Sequence, residues 1–118
     1  LLDGSFLVSD RGNRRLTLYG QMGFFDQEIG GDYDPRNPFV APQGLAVERH
    51  GNVFVADQGN GLIHVLNRRL QLLFSAGPEF GVRGIPLGPV DVAVGPDDLL
   101  AVSDRARKAL LVYRIIYD

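Results

Sequence analysis

One short phrase closes an apolar run three times in this chain, as Leu7-Val8-Ser9-Asp10, Phe54-Val55-Ala56-Asp57 and Ala101-Val102-Ser103-Asp104. Its aspartates stand 47 residues apart, twice, without a slip. A fixed period of this size is the mark of a repeat architecture. A single repeat cannot bury its own apolar faces, so each leans on a like neighbour. The same offset carries Pro42 to Pro89, Ala46 to Ala93, Val47 to Val94, Gly12 to Gly59, Asn13 to Asn60 and Gly30 to Gly77. It also carries Leu16 to Ile63 and Leu110, and Leu18 to Val65 and Val112. Repeats of this kind generally present a broad surface to partners and not one catalytic cleft.

The 118 residues hold about two and a half such periods, cut inside a repeat at each end. The chain is therefore expected to be completed by further repeats, from the same polypeptide or by self-association. The organisation reads as one segment, 1–118, with a partial repeat over 1–41, a full one over 42–88 and a partial one over 89–118. Twelve Lys and Arg against 14 Asp and Glu leave a net charge of −2, which argues against a general polyanion binder. With no cysteine, disulfides and thiolate metal sites are excluded and the compartment stays open. No stretch reaches the roughly 18 apolar residues of a membrane span. The 15 glycines and 7 prolines are spread between apolar runs, as punctuation between short strands.

Four strand-like pieces recur per period. In the second they are Gly44–Glu48, Asn52–Asp57, Leu62–Asn67 and Leu70–Ser75, the last being the most exposed. A turn with Gly51 at positive φ joins the first two, and Gln58–Gly61 is a tight turn. A Gly- and Pro-rich connection runs over 77–89. The middle strands are rich in Val, Leu, Ile and Phe and lack clean alternation, as expected of sheets sandwiched between two neighbours. Four antiparallel strands per period of 40 to 50 read as β-propeller blades with essentially no helix. The fold class is thus all-β, a partial β-propeller of four-stranded antiparallel blades.

The wording narrows this. Pro42-Gln43-Gly44-Leu45-Ala46-Val47, then Gly51-Asn52-Val53-Phe54-Val55-Ala56-Asp57, Gly59-Asn60 and Ile63-His64-Val65, closely resembles the NHL repeat. The third copy keeps Pro89, Val92-Ala93-Val94 and Val102-Ser103-Asp104 and departs at Asp97-Asp98 and Ala106-Arg107. The resemblance spans nearly the whole chain. It implies a six-bladed ring, in which blade one here lacks its innermost strand and blade three its outermost. It is weak about function, because NHL propellers occur in ubiquitin ligases, bacterial receptors and some enzymes.

Asp10, Asp57 and Asp104 end strands and open tight turns, where a carboxylate accepts turn N–H groups; a structural role is expected. Asn13 and Asn60 follow three residues later, and asparagine suits the left-handed region such turns use. The first turn carries Arg11, Arg14 and Arg15 and the third Arg105, Arg107 and Lys108, while the second carries no charge. These six cations are expected to rim one end and to attract an acidic peptide or phosphate. No aromatic groups are interleaved with them, which weakens an RNA reading. His50 and His64 have no second histidine near in sequence, and a metal or catalytic site needs several convergent ligands. No catalytic residue, metal or cofactor is expected. Among the acidic and aromatic residues from Phe24 to Phe39, Phe39 is read as a plug between blades, while Tyr33, an aromatic that would suit an interface if exposed, is left open. A scaffold for a protein partner, in a multidomain protein such as a ubiquitin ligase or receptor, comes first. RNA or another anion on the basic turns comes second, and part of a propeller hydrolase or lyase third.

Overall fold

The computed structural model describes residues 1–77 and 88–117, so the connection expected over 77–89 lies mostly outside the described residues. Strands β1 (Phe6–Asp10), β2 (Arg15–Tyr19) and β3 (Phe25–Gly30) form the first sheet. Strands β4 (Pro42–Val47), β5 (Val53–Asp57), β6 (Leu62–Leu66) and β7 (Leu72–Ala76) form the second. Strands β8 (Pro89–Gly95), β9 (Leu99–Asp104) and β10 (Ala109–Arg114) form the third. Every neighbouring pair is antiparallel and joined in chain order. Apart from the strands there are two single 3-10 turns, and no α-helix among the described residues.

The pairing repeats with the sequence. Ser9 opposes Leu16, Ala56 opposes Ile63 and Ser103 opposes Leu110, the same pair at each step of the period. β1 therefore stands where β5 stands in the second sheet, and β10 where β6 stands. The two apolar faces of β5 account for its missing alternation. Val53 and Val55 pack with Leu16, Leu18, Leu66 and Leu70 on one side. Phe54 and Ala56 pack with Ile63, Val65, Leu100 and Val102 on the other. A strand buried on both faces reads as a continuous apolar run.

Local details depart from the sequence expectation. The first strand of the second sheet starts at Pro42, which faces Asp57 across a bulge. Proline is tolerated there because a first strand position can do without its N–H. Leu70 is no strand residue; it closes a turn at φ +63 and drops its side chain into the first core cluster. Asn13 and Asn60 do not take the left-handed conformation. The next residue does, as Arg14 (φ +55), Gly61 (φ +70) and Lys108 (φ +53), the same position in each repeat. The asparagine amides instead donate, Asn13 to the Asp10 carboxylate and Asn60 to the Pro38 carbonyl at 3.1 Å. Gly30, at φ +83, has no room for a Cβ, which would lie 2.7 Å from the Phe39 ring. That close approach lets the 31–39 loop fold back so that Phe39 is buried between the first two sheets.

Candidate functional site: the turn end of the sheets

The three repeated aspartates lie at one end of the sheets, where β1, β5 and β9 finish. Asp57 is wholly buried. It accepts the backbone N–H groups of Val40 and Ala41 at 2.9 Å and of Gly59 at 3.1 Å. It therefore reaches beyond its own turn to the strand entering the sheet. Its Oδ2 also lies 3.0 Å from Nε2 of His64, itself fully buried, and His64 Nδ1 lies 2.7 Å from Ser75 Oγ. Ser75 can donate to Nδ1 while Nε2–H donates to the carboxylate. Burial pushes the Asp57 carboxyl up, but the hydrogen bonds from His64, Val40 and Ala41 outweigh it and hold the group below the ordinary aspartate value.

This line of three residues was not visible in sequence. Strand pairing makes it, setting His64 opposite Ser75. The one available signal was a polar residue, His64, inside an otherwise apolar middle strand. The order of groups matches that of a serine hydrolase relay, but the surroundings do not. Both Asp57 oxygens are engaged, His64 has no exposed surface, and Phe39 packs edge-on against its ring at 5.2 Å. The line ties β5, β6 and β7 to the incoming chain at residues 40 and 41.

Each repeat builds this brace differently. In the first sheet Arg15 donates to Asp10 at 2.9 Å and to Glu28 at 2.5 Å. Glu28 is the repeat equivalent of Ser75, so arginine spans the gap that histidine spans in the second sheet. Hydrogen bonds from Asn13 and then Arg15 hold the Asp10 carboxyl below its usual value. In the third sheet Asp104 is buried and accepts N–H groups of Gly88 and Ala106 at 3.0 and 3.1 Å. Arg107 stands 3.6 Å from it, and Leu111 fills the histidine position.

The basic rim is accordingly part brace. Arg15 is committed to Asp10 and Glu28, Arg107 lies beside Asp104, and Arg14 stands 3.9 Å from Asp32 and donates to the Phe39 carbonyl at 3.4 Å. Arg11, Arg105 and Lys108 have exposed side chains with no ion pair among the described residues. On the loop that follows the first sheet stands Tyr33, 97% exposed. Its loop is held by hydrogen bonds: the Gly31 N–H donates to the Arg14 carbonyl, the Arg36 backbone N–H to the Asp34 carboxylate, and the Asn37 side-chain amide to the Arg14 carbonyl.

The opposite end holds a second polar group. Arg49 pairs with Asp98 through two bonds of 2.8 and 3.1 Å, joining the β4–β5 and β8–β9 turns. The pair holds Asp98 at φ +58, where the equivalent residue is Gly51 at φ +89. Tyr117 lies under Arg49, 5.1 Å from ring centre to guanidinium, and edge-on to His50 at 4.5 Å. Burial and then the nearby Glu48 carboxylate push its hydroxyl pKa up. Among the described residues no three His, Cys, Asp or Glu side chains stand close enough to hold a metal, and no helix is long and apolar enough to cross a membrane.

Three antiparallel sheets packed face to face, each offset by one period, match known structures. A hydrazine synthase from Kuenenia stuttgartiensis superposes with a TM-score of 0.67 at 14% identity, covering 86% of this chain and 26% of that one. A luciferin-regenerating enzyme gives 0.60 at 22% identity, covering 86% and 34%. A streptogramin B lyase gives 0.59 at 12% identity, covering 96% and 38%. The fold is that of a partial β-propeller. Identities this low show the fold alone, and the chain spans well under half the length of each of these structures. No family model and no curated protein matches the chain.

Proposed function

We propose that this segment belongs to an NHL-type propeller and serves as a non-catalytic scaffold that presents its turn end to a protein partner. Propeller folds host unrelated activities, so it is the surface and not the fold that points to a partner. The carrying observation is Tyr33, 97% exposed on a loop fixed by hydrogen bonds to the neighbouring turn. An aromatic side chain on a backbone already held by hydrogen bonds gives contact area without the cost of ordering the loop, which is how interface anchors act. In the same loop lie exposed Arg36 and the acids Asp32 and Asp34, with Arg14 3.9 Å from Asp32. This mixed charge suits a protein surface better than a polyphosphate, because half of the six rim cations already face carboxylates.

The test is affinity capture from a cell lysate with the wild-type chain, Tyr33→Ala, and the double variant Arg11→Glu/Lys108→Glu. The expected result is a discrete protein set that survives nuclease treatment and is depleted about tenfold by Tyr33→Ala, with unchanged melting because the ring buries nothing. Capture of nucleic acid that is lost in high salt and in the double variant would replace this reading by an anion-binding one. Turnover of ester or lactone substrates by the wild-type chain would replace it by an enzymatic one.

A further inference from the structure

We propose that a pocket between the first two sheets, at the end opposite the repeated aspartates, binds a small phosphomonoester. It lies away from Tyr33 and does not depend on the role given to that residue. The period shows how the pocket arises. Between the second and third sheets the corresponding space is filled, by Arg49 bonded to Asp98 and by Tyr117 under the guanidinium. One period back, Leu2 stands for Arg49, Gly51 for Asp98 and Leu70 for Tyr117. The ion pair is gone, and Leu70 drops into the first core cluster. A pocket of about 320 Å³ is left. The start of the chain does not create this opening. Val47, which precedes Glu48, runs along β5 opposite Val53, so by the period the residue preceding Leu1 runs along β1 opposite Phe6.

The walls set the chemistry. Arg68 and Arg69 come from the β6–β7 turn and His50 from the β4–β5 turn, with Leu1 and Leu2 across from them. Gly51 brings the two turns together: a Cβ there would lie 2.9 Å from the Arg68 Cβ. The backbone that carries the arginines is fixed, because Asn67 Oδ1 accepts the N–H groups of Arg69 and Gln71 at 2.9 and 3.0 Å. Neither guanidinium has an ion pair among the described residues. The one carboxylate in the wall, Asp3, accepts the N–H and O–H of Ser5. Two guanidiniums and an imidazole thus face a single, engaged acid. Guanidinium donors match phosphate oxygens in pairs, and a phosphomonoester carries close to two negative charges at neutral pH. The leucines suit a compact organic body, and the volume is that of a small-molecule site.

Calorimetric titration of the whole chain uses three probes: phenyl phosphate, inorganic phosphate and benzoate. Phenyl phosphate should bind most tightly, because it alone meets both the arginines and the leucines. Arg68→Ala with Arg69→Ala should weaken it about tenfold or more, with unchanged melting because both side chains are exposed. Leu2→Glu, at a position 66% exposed, should weaken it as well by placing a carboxylate in the wall. Arg11→Glu with Lys108→Glu, at the other end of the sheets, should leave it unchanged. No binding of phenyl phosphate at millimolar concentration, or equal affinity in the Arg68/Arg69 variant, would overturn the proposal. It would also fall if benzoate binds as tightly as phenyl phosphate, or if the Arg11/Lys108 variant abolishes binding.

Discussion

Replacing Asp57 by alanine removes the acceptor of four hydrogen bonds from a position with no solvent exposure. The cost follows from what happens to each donor. Val40 and Gly59 belong to exposed residues and can turn their N–H groups toward water. Ala41 is half buried and His64 is sealed in, so their donors lose their partner with little to replace it. An orphaned buried donor costs about 1–3 kcal/mol, so the sum is about 3–5 kcal/mol. That is a large share of the roughly 5–15 kcal/mol that holds an ordinary domain. Asp57→Asn gives a sharper comparison. One amide oxygen still serves Ala41 and Gly59. His64 can change tautomer, accepting at Nε2 from the new amide and donating from Nδ1 to Ser75. Only the Val40 N–H is then left facing a donor, and the loss should be about 1–2 kcal/mol. Urea denaturation followed by circular dichroism measures both, provided the slopes agree. A loss under about 1 kcal/mol for the alanine variant, or equal losses for the two, would refute the four-bond account.

Two further outcomes follow from the same packing. Asp57, Asp10 and Asp98 all have carboxyls held below the ordinary value of 3.8, so the unfolded chain takes up protons before the folded one does. Their contribution is present above pH 3.8 and is lost as pH falls through the lower folded values; the urea midpoint should drop steeply there, less so in Asp57→Asn, and a midpoint that does not move would contradict it. Gly44 allows β4 to approach β8 so closely that a Cβ would lie 2.5 Å from Asp91 Cα and 3.0 Å from the Val90 carbonyl. Gly44→Ala should therefore cost about 1–3 kcal/mol by thermal melting, while Gly12→Ala, with open space around it, serves as a neutral control.

The period, the strand count and the double-sided burial of β5 were all legible in the chain, because each is set by spacing along it. Asp57 as a turn acceptor was legible for the same reason, since Gly59 is two residues away. What was hidden depends on register. Ser75 is 11 residues from His64 and meets it only through the β6–β7 pairing. Glu28 is 13 residues from Arg15 and meets it only through β2–β3. The same blindness made six cations look like one uniform rim, when pairing turns Arg15 and Arg107 inward to carboxylates and leaves Arg11, Arg105 and Lys108 to solvent. The left-handed turn position was misplaced by one residue for a related reason. Asparagine is the residue that best tolerates that conformation in isolation, but here its amide is engaged by an acceptor, at Asp10 in one repeat and Pro38 in the next. The strain then falls on the following residue, glycine in the second repeat and Arg14 or Lys108 in the others. The repeat therefore constrains backbone shape and burial more tightly than it constrains side-chain chemistry. Threonine (Thr17), histidine (His64) and leucine (Leu111) at one repeat position fit the same frame, and in the sheets without the histidine a charged guanidinium from a different position stands beside the aspartate instead.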